Sequence, residues 1–147
     1  MRVEIKKDQT VQSTYVEICC KDITREESKL KTYIENYRTG IKASENGETH
    51  IVALNEILYI ESVDKKTFIY TEGKVLGSDK RLYELEGILD KRDFFRCSKS
   101  VIINLSKVVK LKPEITRNIM ATLSNGEVVV VSRRYAAELK KMLGIGD

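Results

Sequence analysis

One segment of the chain places polar and basic side chains between two apolar flanks. Its sequence is FFRCSKSVIINL, and it contains Arg96, Ser98, Lys99 and Ser100 between an aromatic pair and an apolar strand. Arg and Lys are cationic donors of hydrogen bonds, and Ser hydroxyls add uncharged ones. Because we expect the apolar flanks to be buried and to anchor the loop, the pattern predicts a loop that presents its polar side chains rigidly.

A second segment places two arginines at the start of a helix. The sequence VVVVSRRY runs from an apolar strand into Ser132, Arg133 and Arg134, and apolar residues at helical spacing follow. Ser132 is a candidate N-cap, and free N–H groups at a helix N-terminus favour an anion such as phosphate. The same spacing also fits a simple cap, with both arginines solvated or paired with acidic neighbours.

The sequence contains no constellation typical of an enzyme. His50 is the single histidine, and Cys19, Cys20 and Cys97 form no C-x-x-C pair, so we expect reduced thiols and no zinc site. Neither G-x-x-x-x-G-K-[ST] nor G-x-G-x-x-G occurs. We therefore predict no enzymatic activity, no cofactor, no metal and no small-molecule substrate.

Basic residues outnumber acidic ones only in the later part of the chain. The whole chain has 26 Lys and Arg against 22 Asp and Glu, and residues 1–48 have nine of each. The surplus of four positive charges therefore lies within residues 49–147, as attraction to phosphates requires. The start MRVEIKK lacks the apolar core of a signal peptide, so we expect a cytoplasmic protein.

The first 40 residues predict a small hairpin followed by a helix. Residues 2–7 and 14–20 alternate well enough for two short strands. Thr24 and Glu27 then form a capping box, and a helical apolar pattern runs until Gly40. The apolar stripe of this helix consists of Leu30, Tyr33, Ile34 and Tyr37.

A polar stretch, KASENGE at residues 42–48, predicts a linker with an Asn-Gly turn. We therefore divide the chain into residues 1–45, a unit for dimerisation or regulation, and residues 46–147. Because two strands and a helix bury too little surface to be stable alone, the first unit must pack on the rest of the chain or on a second copy.

Residues 46–147 predict a mainly β, antiparallel domain. Eight strands are indicated, namely HIVAL, ILYIESV, KTFIYTE, KVLGS, VIINL, VVKLK, MATLS and EVVVVS. Glu72-Gly73 and Asn125-Gly126 are typical of hairpin turns with positive φ. One short helix interrupts the strands at residues 80–91, and another follows Ser132.

Three ordered segments resemble the LytTR family of bacterial DNA-binding domains. They are LNEILYIESVDKKTFIYTEGK, FFRCSKSVIINLSKVVKL and LSNGEVVVVSRRY, and the resemblance extends over about residues 46–145. It implies an elongated fold of short antiparallel sheets with little helix. It also implies that loops, not a recognition helix, enter successive major grooves of duplex DNA.

The resemblance implies DNA contacts in three loops of this sequence. Arg and Lys can donate to guanine O6 and N7, while Ser and Thr suit phosphate oxygens, so Arg133 is our first choice for reading a base. The implied DNA-binding residues are Lys65, Lys66, Thr67, Ser98, Lys99, Ser100, Arg133 and Arg134.

Residues 1–45 are too few for the receiver domain that many LytTR proteins carry. The arrangement resembles stand-alone LytTR regulators, some of which are inhibited by a membrane protein, so the resemblance allows such a partner here. We predict a sequence-specific transcription regulator that binds paired half-sites as a homodimer through its N-terminal hairpin and helix. Two alternatives stay open: the helix packs on its own β domain, or the chain is a protein-interaction module without strong DNA binding.

Overall fold

The computed structural model describes residues 1–35 and 40–145. Within these ranges the chain forms three α-helices, which are α1 (Arg25–Glu35), α2 (Leu82–Ile88) and α3 (Arg133–Leu143). The strands are β1 (Ile41–Glu45), β2 (Glu48–Val52), β3 (Tyr59–Val63), β4 (Lys66–Tyr70), β5 (Val75–Ser78), β6 (Phe94–Arg96), β7 (Val101–Asn104), β8 (Val108–Pro113), β9 (Ile119–Leu123) and β10 (Val128–Val131). No helix in the described ranges is long and apolar enough to cross a membrane.

The strands form two antiparallel sheets. The larger has seven strands in the order β2-β1-β5-β4-β3-β7-β6, and the smaller has three in the order β10-β9-β8. Each of the eight strands predicted after residue 46 is present, with ends that differ by a few residues. The expectation of a mainly β, antiparallel fold with little helix is confirmed.

The seven-stranded sheet contributes to two hydrophobic cores. Ile60 and Ile102 pack with Leu85 of α2 in one core, whereas Ile103 packs with Leu139 of α3 and the three-stranded sheet in the other. Alternate residues of a strand point to opposite faces, so α2 covers one face and the smaller sheet with α3 covers the other. Each fully buried Ile or Leu contributes about 1.5–3 kcal/mol.

The predicted N-terminal hairpin is wrong. Residues 2–7 and 14–20 form no strand, and Val3 and Ile5 are 83% and 99% exposed. A lone two-stranded hairpin gains too little from its hydrogen bonds to be stable without a surface to pack on. These segments alternate in polarity but have no such surface within the described chain.

The predicted linker at residues 42–48 is also wrong. Ile41 and Ala43 are buried, and β1 pairs with both β2 and β5, so residues 41–45 belong to the seven-stranded sheet. The turn joining β1 to β2 has φ of 51° at Asn46 and 80° at Gly47. An Asn-Gly pair with both φ values positive is a type I′ hairpin turn, so the polar stretch is a hairpin.

The helices begin close to their predicted positions. Thr24 caps α1, its backbone N–H donating to Glu27 Oε2 at 2.8 Å, and Tyr37 lies outside the described residues. The helix predicted at residues 80–91 is shorter and spans Leu82–Ile88. The chain then continues to β6, a strand that the sequence patterns did not predict. The turn at Asn125-Gly126 is confirmed, with Gly126 at φ 89°, whereas Gly73 joins β4 to β5 without a left-handed φ.

Candidate nucleic-acid interface

The β3–β4 turn presents two exposed lysines. Asp64 and Lys65 form the turn in left-handed conformations, with φ of 50° and 66°. The Lys65 and Lys66 side chains are exposed, whereas Thr67 is only 4% exposed and is paired between Ser62 and Ser78 in the sheet. Because Thr67 is buried, it is not part of the exposed surface that Lys65 and Lys66 form.

The β6–β7 loop, residues 97–100, is held by the side chain of Arg96. Its Nε donates to the carbonyl of Ser98 at 2.8 Å, and its Nη2 donates to the carbonyl of Lys99. Its Nη1 lies 3.5 Å from Glu86 Oε2 on α2. One guanidinium therefore ties two carbonyls of the loop to the helix beneath the sheet, and the Lys99 side chain stays exposed.

The two serines of the loop also bond within the fold. The backbone N–H of Ser100 donates to Ser98 Oγ at 3.2 Å, and the two hydroxyls are 3.5 Å apart. The carbonyl of Ser100 accepts from the N–H of Ser62 at 2.8 Å. The loop is therefore joined to β3, next to the strand end from which Lys65 and Lys66 project.

The start of α3 is joined to the same loop. The backbone N–H of Ser132 donates to the carbonyl of Cys97 at 2.8 Å, and that of Arg133 donates to Asn118 Oδ1 at 2.9 Å. Ser132 occupies the N-cap position as predicted, but its side chain makes no capping hydrogen bond. The first N–H of the helix is therefore already engaged by Asn118 within the fold.

The two predicted segments line one groove. Both arginines are exposed, and the guanidinium of Arg134 lies 5.7 Å from the ring centroid of Tyr135. The groove has a volume of about 630 Å³. Its lining includes Ser98, Lys99, Thr116, Asn118, Arg133 and Arg134.

Strand register places the β3–β4 turn at the same end of the seven-stranded sheet as residues 97–100. Glu61 is paired with Val101, and Val63 is paired with Lys66, so the β3–β4 turn and residues 97–100 extend beyond neighbouring strands in the same direction. Within the described chain, no carboxylate lies within 4.0 Å of the charged group of any of the five cations involved. They are Lys65, Lys66, Lys99, Arg133 and Arg134.

Residues 47–144 match the family model of the LytTr DNA-binding domain. The chain belongs to the LytTR family. A solved LytTr DNA-binding domain of a putative methyl-accepting/DNA response regulator from Bacillus cereus superposes with a TM-score of 0.69 at 29% identity, covering 73% of this chain and 98% of that one. The family and the fold that the sequence motifs suggested are thereby confirmed.

Relatives of the chain are longer proteins. The sensory transduction protein LytT of Bacillus cereus is 30% identical over 140 residues, which are 95% of this chain and 52% of that protein. The transcriptional regulatory protein YpdB of Escherichia coli K12 is 28% identical over 94 residues, 63% of this chain and 38% of that protein. This LytTR chain thus spans about half the length of the LytT protein that it matches.

Two supporting residues had little or no signal in the sequence. Arg96 stood out as part of a polar cluster, but nothing in its spacing indicated that it would bond the loop backbone. Asn118 precedes Arg133 by 15 residues, and only the fold brings its side chain to the start of α3. His50, the single histidine, lies on β2, with Nε2 3.8 Å from Glu45 Oε2 and 3.7 Å from Glu48 Oε2.

Proposed function

We propose that this LytTR chain is a sequence-specific transcription regulator that binds duplex DNA in the cytoplasm and has no enzymatic activity. The names of its relatives LytT and YpdB, which describe sensory transduction and transcriptional regulation, support this role. The strongest support is the set of five exposed, unpaired cations on three segments at one end of the sheets. Phosphate contacts and contacts with guanine both require such donors.

The three segments have different roles in this proposal. Arg133 and Lys99 enter the major groove and donate to base edges, since both side chains are exposed at the groove beside Asn118. Lys65, Lys66 and Arg134 bind backbone phosphates, and Ser98 and Ser100 add hydroxyl donors. Thr67 supports the β3–β4 turn from inside the sheet and does not itself touch DNA, in accord with its burial.

The chain acts as a dimer on paired half-sites in this proposal. The exposed apolar side chains of residues 1–24, with Val3 83%, Ile5 99% and Val16 64% exposed, supply a surface for a second copy. A membrane-protein inhibitor stays a prediction from the family resemblance.

Selection from a random duplex library at about physiological salt tests the function. The wild-type chain is compared with the Arg133→Ala, Lys99→Ala double variant, and we expect only the wild type to enrich a two-part motif. The two single variants then separate the contributions of Arg133 and Lys99. Removing a base contact at Arg133 costs about 1–3 kcal/mol at one or two base pairs and relaxes specificity there.

Two results would contradict parts of the proposal. An equal decrease in affinity on every sequence in the Arg133→Ala variant identifies Arg133 as a phosphate contact. No enrichment by folded wild type overturns DNA recognition and favours the protein-interaction module. Circular dichroism and thermal unfolding of each variant confirm that the chain being selected is folded.

A further inference from the structure

We propose that the turn between β5 and α2 is an additional DNA-contacting element, in which Lys80 and Arg81 bind phosphates of the DNA backbone. The inference rests on the proposed function and extends the interface beyond the three segments described above. None of the sequence motifs or family matches assigns a role to these two residues.

Strand register brings this turn to the basic end of the sheet. Thr67 of β4 is paired with Ser78, the last residue of β5. Asp79 and Lys80 follow Ser78 directly, so the β5–α2 turn leaves the sheet at the same end as the β3–β4 turn. Neighbouring strands are about 4.8 Å apart, so Lys80 and Arg81 continue the row of cations that Lys65 and Lys66 begin.

The backbone of the turn is anchored on both sides. The N–H of Lys80 donates to Ser78 Oγ at 3.2 Å, and the N–H of Arg81 donates to Glu84 Oε1 at 3.1 Å. Leu82 and Leu85, which follow, are 5% and 0% exposed in the core beneath the sheet. The backbone of the turn is therefore fixed, and both basic side chains project from it at the surface.

Both side chains are exposed and unpaired. Among the residues that the structure describes, no carboxylate lies within 4.0 Å of the charged group of Lys80 or Arg81. Asp79 is the adjacent acidic residue, and the Glu84 carboxylate is engaged by the backbone of Arg81. The β3–β4 and β5–α2 turns together thus carry four basic side chains and two acidic ones, Asp64 and Asp79.

The spacing favours phosphate as the ligand group over base edges. The β5 strand lies three strand positions from β7, which is about 14 Å at the usual strand spacing. The major groove is about 12 Å wide. When the loop at 97–100 lies in the groove, the β5–α2 turn therefore meets the sugar-phosphate wall.

Salt-dependent binding to the selected duplex tests the inference. In the Lys80→Ala, Arg81→Ala variant we expect the slope of log affinity against log salt to fall in magnitude by about 1.8, or about 0.9 for each phosphate that the protein no longer neutralises. The base preference obtained by selection should stay that of the wild type. A Lys80→Gln, Arg81→Gln variant, which keeps long polar side chains, serves if the alanine variant does not fold.

A matched control removes two charges from the opposite end of the same sheet. Lys74 lies at the β4–β5 turn and Lys91 precedes β6, so the Lys74→Ala, Lys91→Ala variant has the same net charge as the test variant. We expect its salt slope to equal that of the wild type. The Lys74 pair with Glu45, at 3.5 Å and exposed, contributes little to stability.

The outcomes separate this inference from the proposed function. Wild-type binding with an unchanged slope in the Lys80/Arg81 variant overturns the inference and leaves the function intact. An equal change in the control overturns it as well, because the effect is then one of overall charge. An altered base preference in the Lys80/Arg81 variant overturns the phosphate contact and indicates a base contact. Failure of the wild type to select DNA overturns both proposals.

Discussion

Arg96 is the residue on which the shape of the β6–β7 loop depends most directly. It is half-buried, donates to the carbonyls of Ser98 and Lys99, and lies within 3.5 Å of a Glu86 carboxylate oxygen. Lysine has a single ammonium head and cannot reproduce this planar fork of donors. Under the proposed function, Arg96 is therefore a positioning residue for Lys99 and makes no DNA contact of its own.

We expect Arg96→Ala to weaken binding to the selected duplex more than binding to random duplex. Removing its charge-assisted hydrogen bonds should also lower the free energy of unfolding by about 1–3 kcal/mol. Equilibrium titration with both duplexes and urea unfolding measure the two effects. Arg96→Lys should restore less than half of the discrimination, and an equal decrease in affinity on both duplexes would contradict a positioning role.

Cys97 should be chemically inert although it is the first residue of the β6–β7 loop. Burial raises the pKa of its thiol to about 12, and the side chain is 0% exposed. The thiol therefore stays protonated near pH 8, where the thiolate would be the reacting species. With iodoacetamide we expect rapid labelling of the exposed Cys19 and Cys20 and slow labelling of Cys97, measured by peptide mass spectrometry.

The sequence motifs name candidate site residues, and the structure shows which of them are exposed. Lys65, Lys66, Lys99, Arg133 and Arg134 are exposed on turns or at a helix start. Thr67 belongs to the same motif but is buried, because it lies two residues before Ile69 on the same face of β4.

At the scale of elements, strands with marked apolar runs were predictable, whereas β1, which has only two buried residues, was not. The runs that became β3, β4, β9 and β10 alternate or are continuously apolar. By contrast, β1 has the polar sequence IKASE and exists because β2 and β5 pair with it on either side. The N-terminal segments have a better alternating pattern than β1 but no such partners.

Tyr59 links the two sheets. The Tyr59 hydroxyl donates to Glu127 Oε2 at 2.8 Å across the sheets, and the Tyr59 and Tyr70 rings stack with centroids 4.3 Å apart. Burial, followed by the contact with Glu127, raises the pKa of Tyr59 above its ordinary value of 10.0. Burial, and then the contact with Glu61, also raises the pKa of Tyr70.

These tyrosines should make the fold sensitive to alkali. Above pH 10 the unfolded chain loses phenolic protons that the folded chain retains, so stability present below pH 10 decreases as the pH rises. Urea unfolding between pH 9 and pH 11 should show a falling free energy of unfolding. Tyr59→Phe should be less stable at neutral pH but have a shallower decline, and an unchanged slope would contradict this assignment.

At the scale of the whole molecule, the contact between α1 and the β domain is incomplete. The guanidinium of Arg92 lies 5.9 Å from the Tyr33 ring centroid, yet none of the described residues of α1 is buried. A cavity of about 750 Å³ is lined by Ser28 and Tyr33 from α1 and by Leu89 and Phe94 from the domain. Tyr33 of α1 thus contacts the domain, while every residue of this helix stays at least partly exposed.

Dimer formation on DNA should therefore depend on apolar side chains that the single chain leaves exposed. We expect the Val3→Ser, Ile5→Ser, Val16→Ser variant to bind one half-site with wild-type affinity but to lose cooperative binding to two. If the three side chains together contribute about 3 kcal/mol to an interface, removing them weakens association about 100-fold.

Sedimentation velocity with duplexes carrying one or two half-sites measures this directly. The wild type should place two protomers on the longer duplex without a populated single-protomer species, whereas the variant should fill the half-sites independently. A Lys6→Ser, Lys7→Ser variant, altered in the same segment at polar positions, should retain cooperativity. Cooperative binding by the triple variant would contradict an N-terminal interface. The contact between protomers would then be assigned to the β domain. Binding to one half-site is expected to be unchanged, so a loss of cooperativity reports on the protomer contact alone.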